Sequence, residues 1–156
     1  MAVDGLTLLR AVRDGRVAGP PMAELIGAHC TAVEPGMVEA SIRHQPALEN
    51  SDGFLHGGAI AVLLDATMGA AAHTLEGAGT TVFTQDLTIT YLKPVRSDVM
   101  PVTGTAQVVN RGRNVSYVTG EARDRNGRLV AHAVGNFWAR TTTTAPHADE
   151  TIASRS

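Results

Sequence analysis

The amino-acid sequence predicts an α+β fold in which one antiparallel β-sheet wraps around a single long apolar helix. Residues 57 to 76, GGAIAVLLDATMGAAAHTLE, are rich in Ala and Leu, and polar residues interrupt them only at Asp65, Thr67, His73, Thr74 and Glu76. Such a segment predicts a helix buried on most of its sides. Downstream, four β-like runs over 80–92, 102–109, 115–122 and 129–138 are separated by Lys93-Pro94, by NRGRN at 110–114 and by DRNG at 124–127, all strong turn chemistry. The sheet needs a cover for its apolar face and the helix needs burial, so wrapping one around the other is the economical arrangement.

Ahead of the long helix, Leu6, Leu9 and Val12 recur at helical spacing, and Gly15 with Gly19-Pro20-Pro21 stops that short leading helix. Residues 28 to 42 split at Glu34-Pro35-Gly36, and the second half alternates through residues 37 to 42, which predicts a hairpin. Residues 44 to 56, HQPALENSDGFLH, show no period and read as a loop feeding the long helix. On this reading residues 1–140 form one domain, while 141–156, dominated by Thr, Ala and Ser, are expected to be a disordered tail.

A length of 156 residues with 44% hydrophobic content suits one substantial core. Thirteen Lys and Arg against 15 Asp and Glu give a formal charge of -2, so no global field attracts nucleic acid or an anionic membrane. Neither is expected as a partner, and any anionic ligand must be held by local basic groups. Cys30 is the only cysteine, which excludes an internal disulfide and a thiolate metal cluster and suits a small buried hydrophobe. The start carries Asp4 and no basic run leading into an unbroken apolar stretch, and no apolar run reaches about 18 residues, so a cytoplasmic protein is expected. The six histidines show no ligand spacing, and HExxH, paired-cysteine and phosphate-loop motifs are missing; no metal and no separate cofactor are expected.

Asp65 stands between Leu64 and Ala66 in the middle of the apolar helix. An ionised carboxylate there costs several kcal/mol unless it is paired or open to a polar cleft. The same helix begins at His56-Gly57-Gly58, and glycines at a helix start let a ligand approach amides that have no intrahelical partner. Donors for an oxyanion at Gly57 and Gly58, with a carboxylate on the same element, point to acyl-transfer chemistry.

In order along the chain, Asn50, Leu55-His56-Gly57-Gly58, Asp65 and Thr88-Ile89-Thr90-Tyr91-Leu92-Lys93-Pro94 resemble the PaaI-like branch of the hotdog-fold acyl-CoA thioesterases, over roughly residues 28 to 138. The resemblance implies a hotdog fold and hydrolysis of an aryl- or aliphatic acyl-coenzyme A, with coenzyme A as part of the substrate. It implies a site made of Asn50, His56, Gly57 and Asp65, assisted by a strand hydroxyl at Thr84. Some members carry a hydroxyl one turn after the acid on the helix; Gly69 stands there in this chain. In the implied reaction the Gly57 N–H holds the thioester oxygen, while Asp65 either attacks the carbonyl or activates a water. His56 helps hold the thioester end, Asn50 positions the substrate or the water, and Thr84 orients Asp65 or that water. Lys93, Arg96, Arg111 and Arg113 are the candidates for coenzyme A phosphates. Leu64, Met68 and Phe83 are candidates either to line the acyl chamber or to pack the core. A noncatalytic acyl-CoA-binding or regulatory hotdog domain is an alternative against which Asp65 argues; a hotdog dehydratase or hydratase needs a differently spaced His and acid motif that the chain lacks.

Helix geometry adds an expectation of its own. Gly57 and Asp65 are eight residues apart, about 12 Å at 1.5 Å per residue. A reacting carbon must lie about 3 Å from both the oxyanion donor and the attacking group. Asp65 is therefore expected to act on a thioester held by Gly57 of a neighbouring antiparallel chain, which makes a homodimer with shared sites the functional unit; the resemblance implies a dimer of dimers as the higher assembly.

Overall fold

The computed structural model describes residues 3–141, so the expected tail lies outside the described residues from 142 onward. The chain runs through α1 (Gly5–Arg13), α2 (Pro21–Leu25), β1 (Ala28–Glu34), β2 (Met37–Ile42), α3 (Gly57–His73), β3 (Thr80–Tyr91), β4 (Val102–Arg111), β5 (Val115–Arg123) and β6 (Leu129–Thr141), with single 3-10 turns at Pro46–Leu48 and Ser97–Val99. The six strands form one sheet in the order β1-β2-β4-β5-β6-β3, every neighbouring pair antiparallel. Helix α3 lies across one face of it. This is the predicted α+β hotdog arrangement.

Two local expectations are corrected. Pro20-Pro21 does not only end a helix; Pro21 opens α2, because proline's fixed φ suits the first helical turn and its missing N–H is not needed there. Strand β6 runs on to Thr141, beyond the expected end at residue 138, because its last turn of ladder is completed by Thr80 and Thr81 of β3. The leading helix α1 is capped by Asp4, whose carboxylate accepts from the Thr7 amide at 2.8 Å. In the first hairpin Gly36 takes φ 74°, the left-handed position that a Pro-Gly turn requires.

The core lies between α3 and the middle of the sheet. Ile60, Leu63, Leu64, Met68 and Ala71 meet Val38, Ile42, Val102, Ala106, Val118, Ala122, Ala133 and Phe137, all buried. The helix seats closely because two central strand positions carry no side chain. A Cβ on Gly120 would stand 2.8 Å from Met68 Sδ, and one on Gly104 would stand 3.1 Å from Leu63 Cγ. Truncating a buried leucine in such a layer costs about 2–5 kcal/mol. Cys30 is half-buried beneath α1 and α2, and burial pushes its thiol up from its ordinary value.

Strand β3 forms one edge of the sheet, and its outer side has no partner strand among the described residues. It is twelve residues long and exposes Phe83 and Tyr91, each about half accessible. A long edge with apolar side chains is a template for pairing with another chain. No helix is long and apolar enough to cross a membrane among the described residues.

Candidate active site

The start of α3 has one unused donor. The Ala59 and Ile60 amides reach the His56 carbonyl at 2.9 and 3.4 Å, and the Gly58 amide donates to His56 Nδ1 at 2.8 Å. Among the described residues the Gly57 N–H meets no acceptor. His56 is thus the N-cap of the helix, and a neutral ring accepting at Nδ1 carries its proton on Nε2. This corrects the place of Gly58 among the ligand-binding amides, because its N–H is already occupied by the cap. Tyr91 donates its hydroxyl to the Gly57 carbonyl at 2.8 Å, and a Cβ at position 57 would come within 3.3 Å of the Tyr91 ring. A bare backbone at Gly57 is what allows the ring to lie there.

Around Gly57 opens a cleft of about 360 Å³ lined by Asn50, Phe54, Tyr91, Lys93 and Pro94. Asn50 organises its rim: the side-chain oxygen accepts from the Asp52 and Phe54 amides, both at 3.0 Å. Its carbonyl side is spent on the loop, which leaves the Nδ2 hydrogens for a ligand. Arg96 lies over the Phe54 ring, 5.3 Å from its centroid, and Lys93 lines the cleft itself. These two cations therefore stand beside Gly57.

Asp65 sits on the flank of α3 that faces β3, half-buried rather than sunk in the core. Its Oδ1 accepts from the Thr84 hydroxyl at 2.7 Å, while Oδ2 meets no donor among the described residues. The anomaly of a carboxylate in an apolar helix is resolved by this pairing and by the open flank. On the face of the sheet away from α3, Phe83 packs on Trp138 with ring centroids 5.9 Å apart, and both line a recess of about 490 Å³ with Gln85 and Val115; Phe83, half exposed there, neither packs the core nor faces Asp65 in its own chain, because it alternates with Thr84 along β3.

The remaining expected site residues divide. Leu64 and Met68 are fully buried under Gly120 and line no opening, so core packing is their place; a helix position that faces the sheet cannot also face a ligand on the flank. Arg111 forks onto Glu76 at 3.3 and 3.2 Å, an ion pair that a phosphate has to displace. Arg111 and Arg113 lie beyond the C-terminal end of α3, and the helix alone separates its two ends by about 24 Å, so within one chain they do not join Gly57. Gly69 turns toward Phe137, 3.4 Å from a Cβ built there. Tyr91 is a site residue that local sequence signals do not mark, because it reaches Gly57 only through the place of β3 in the sheet.

A sheet wrapped around one helix defines a hotdog protein, and this one carries a free amide at the helix start and a hydroxyl-held carboxylate two turns along. The thioesterase superfamily model matches residues 52–131. A protein named as an esterase in Saccharolobus solfataricus is 34% identical over 106 residues, spanning 68% of this chain and 74% of that protein. A thioesterase family protein of Silicibacter pomeroyi superposes with a TM-score of 0.78 at 27% identity, over 85% of this chain and 98% of that one. The PaaI protein of the Escherichia coli phenylacetic acid degradation operon shares the fold, with a TM-score of 0.75 at 19% identity, over 85% and 94% of the two chains. The chain belongs to the thioesterase superfamily.

Proposed function

We propose that this protein hydrolyses an acyl-coenzyme A thioester, at sites completed by two copies of the chain. The observation that carries the reading is the Asp65 carboxylate, held at one oxygen by Thr84 and free at the other, on the open flank of α3. The Gly57 N–H of the partner chain holds the carbonyl oxygen of the thioester, where developing negative charge is stabilised most. The free Asp65 oxygen either attacks the carbonyl carbon or takes the proton of an attacking water; in both routes the C–S bond breaks, and water yields the acid and the coenzyme A thiol. His56 Nε2–H and Asn50 Nδ2–H orient the thioester arm at the cleft, and Lys93 and Arg96 meet phosphates.

The shared-site reading is supported by α3, which runs unbroken from Gly57 to His73 and so keeps Gly57 and Asp65 about 12 Å apart. The unpaired edge of β3, next to Thr84, supplies a surface on which a second chain can continue the sheet. Tyr117 and Trp138 on the sheet face away from α3 leave apolar surface for a dimer of dimers. A cytoplasmic setting goes with this substrate class.

The test is a panel of acyl-CoA thioesters followed by thiol release, on the parent and on Asp65→Ala. The parent turns over at least one member, and Asp65→Ala falls by about a hundredfold or more, the usual contribution of a positioned base or nucleophile. Turnover by the variant within tenfold of the parent rejects Asp65 as the catalytic group.

A further inference from the structure

Strand β3 carries one residue more than the strand it pairs with. Thr84 stands opposite Phe137 and Asp86 opposite Asn136, so Gln85 is extra and the ladder is bulged there. The bulge changes which residues face the helix. Before it Val82 and Thr84 do so; after it Leu87, Ile89 and Tyr91 do, opposite Gly135, Ala133 and Ala131.

Thr84 and Tyr91 are seven residues apart, and in an unbroken strand of period two an odd separation puts side chains on opposite faces. Their partners on β6, Phe137 and Ala131, are six apart and share the buried face. The extra residue reconciles the two counts. It brings Thr84 onto Asp65 and Tyr91 onto Gly57, both from the helix side of one strand.

Asp86 holds that bulge from the other face of the sheet. Its Oδ1 accepts from the Asn136 backbone N–H at 3.2 Å and its Oδ2 from Asn136 Nδ2 at 2.9 Å. A bulge leaves ladder groups without their usual partner, and this carboxylate supplies an acceptor where the register breaks. We propose that Asp86, clamped on Asn136, is a positioning residue: it fixes the bulge that turns Thr84 toward Asp65 and so sets the orientation of the catalytic carboxylate. The kinetic part rests on the reading of Asp65 proposed above. Asp86 faces away from α3 and touches no reacting atom.

The experiment compares Asp86→Ala and Asp86→Asn, alone and combined with Thr84→Val, by kcat and KM on the best acyl-CoA and by crystal structures of the single variants. Asp86→Ala lowers kcat about fivefold with KM within about twofold, and in the Thr84→Val background it changes kcat by less than about twofold, because its effect passes through the missing hydroxyl. Asp86→Asn restores kcat, since an Asn opposite a flipped Asn136 amide still exchanges two hydrogen bonds. In the Asp86→Ala crystal structure the Thr84 hydroxyl stands beyond about 3.5 Å from Asp65. An equal loss of kcat with and without the Thr84 hydroxyl overturns the proposal, as does a Thr84–Asp65 bond that survives in the variant. Should Asp86→Ala fail to fold, Asn136→Ala, which removes only one of the two clamp bonds, is read by the same measurements. If Asp65→Ala keeps full activity, the functional reading fails, while the Thr84–Asp65 separation in the crystal still decides the role of Asp86.

Discussion

Mixing two inactive chains tests the shared site directly. In Asp65→Ala the carboxylate is gone, and in Gly57→Pro the oxyanion donor is gone. The helix backbone accepts both changes. His56 has φ -62° and ψ 136°, the extended conformation that a residue before proline adopts, and position 57 is the first of the helix, where proline is favoured. The added ring meets Tyr91, 3.3 Å from the built Cβ, but Tyr91 is half exposed and can yield. Loss of one oxyanion donor costs about 10²–10³ in kcat, so each variant alone is nearly silent. If Asp65 of one chain serves Gly57 of the other, a mixed dimer holds one intact site. Random pairing of equal amounts makes about half the dimers mixed, which predicts about a quarter of the parent activity. Differently tagged chains, co-expressed and purified through both tags, give pure mixed dimers, and thiol release from them is expected at about half the parent rate. A chain carrying both substitutions behaves in the opposite way: paired with a parent chain it spoils both sites. Silent mixed dimers of the single variants, with half-activity in parent and double-variant dimers, would show that the two residues act within one chain.

Four further outcomes are expected. Thr84→Val removes the hydroxyl 2.7 Å from Asp65 while keeping the shape, and kcat drops about tenfold with little change in melting temperature; a drop below about twofold means that Thr84 does not orient the carboxylate. Replacing Lys93 and Arg96 by alanine raises KM about tenfold for acyl-CoA but little for the matching pantetheine thioester, since only phosphate pairing is lost. Arg111→Ala with Arg113→Ala gives the same asymmetry more weakly because Arg111 already serves Glu76, and equal effects on both substrates remove either pair from coenzyme A binding. Asp124 lies buried in the β5–β6 turn; burial alone raises its carboxyl, but the Arg128 and Asn126 amides and the Arg128 guanidinium outweigh it and hold it below the ordinary 3.8. A lowered folded value means stability that is present above about pH 4 and lost as pH falls through that value. Asp124→Asn therefore melts several degrees below the parent at pH 7, a gap that narrows below pH 4 in thermal scans; a gap constant down to pH 3 contradicts the assignment.

Much of the candidate site was legible in the sequence because its signals are local. A carboxylate in an Ala- and Leu-rich segment, and Gly-Gly after His at its start, mark Asp65 and Gly57 without any knowledge of the fold, and a fixed rise per residue sets their separation. The strands and turns follow equally from period-two alternation and from Pro, Gly and Asn placement. Which face of α3 points inward was not legible. The helix is apolar nearly all round, so no polar stripe distinguishes Leu64 and Met68, which pack on Gly120, from Asp65 and its open flank. Strand order was likewise hidden: β3 follows α3 in sequence but pairs with β6, the last strand, and only that pairing places Thr84 on Asp65. The bulge at Gln85 is the sharpest case. Residue counts along one strand say that Thr84 and Tyr91 face opposite ways, and the register against β6, held by Asp86 on Asn136, puts them on the same side. Local chemistry is written residue by residue, whereas parity across a ladder exists only once two distant segments have paired.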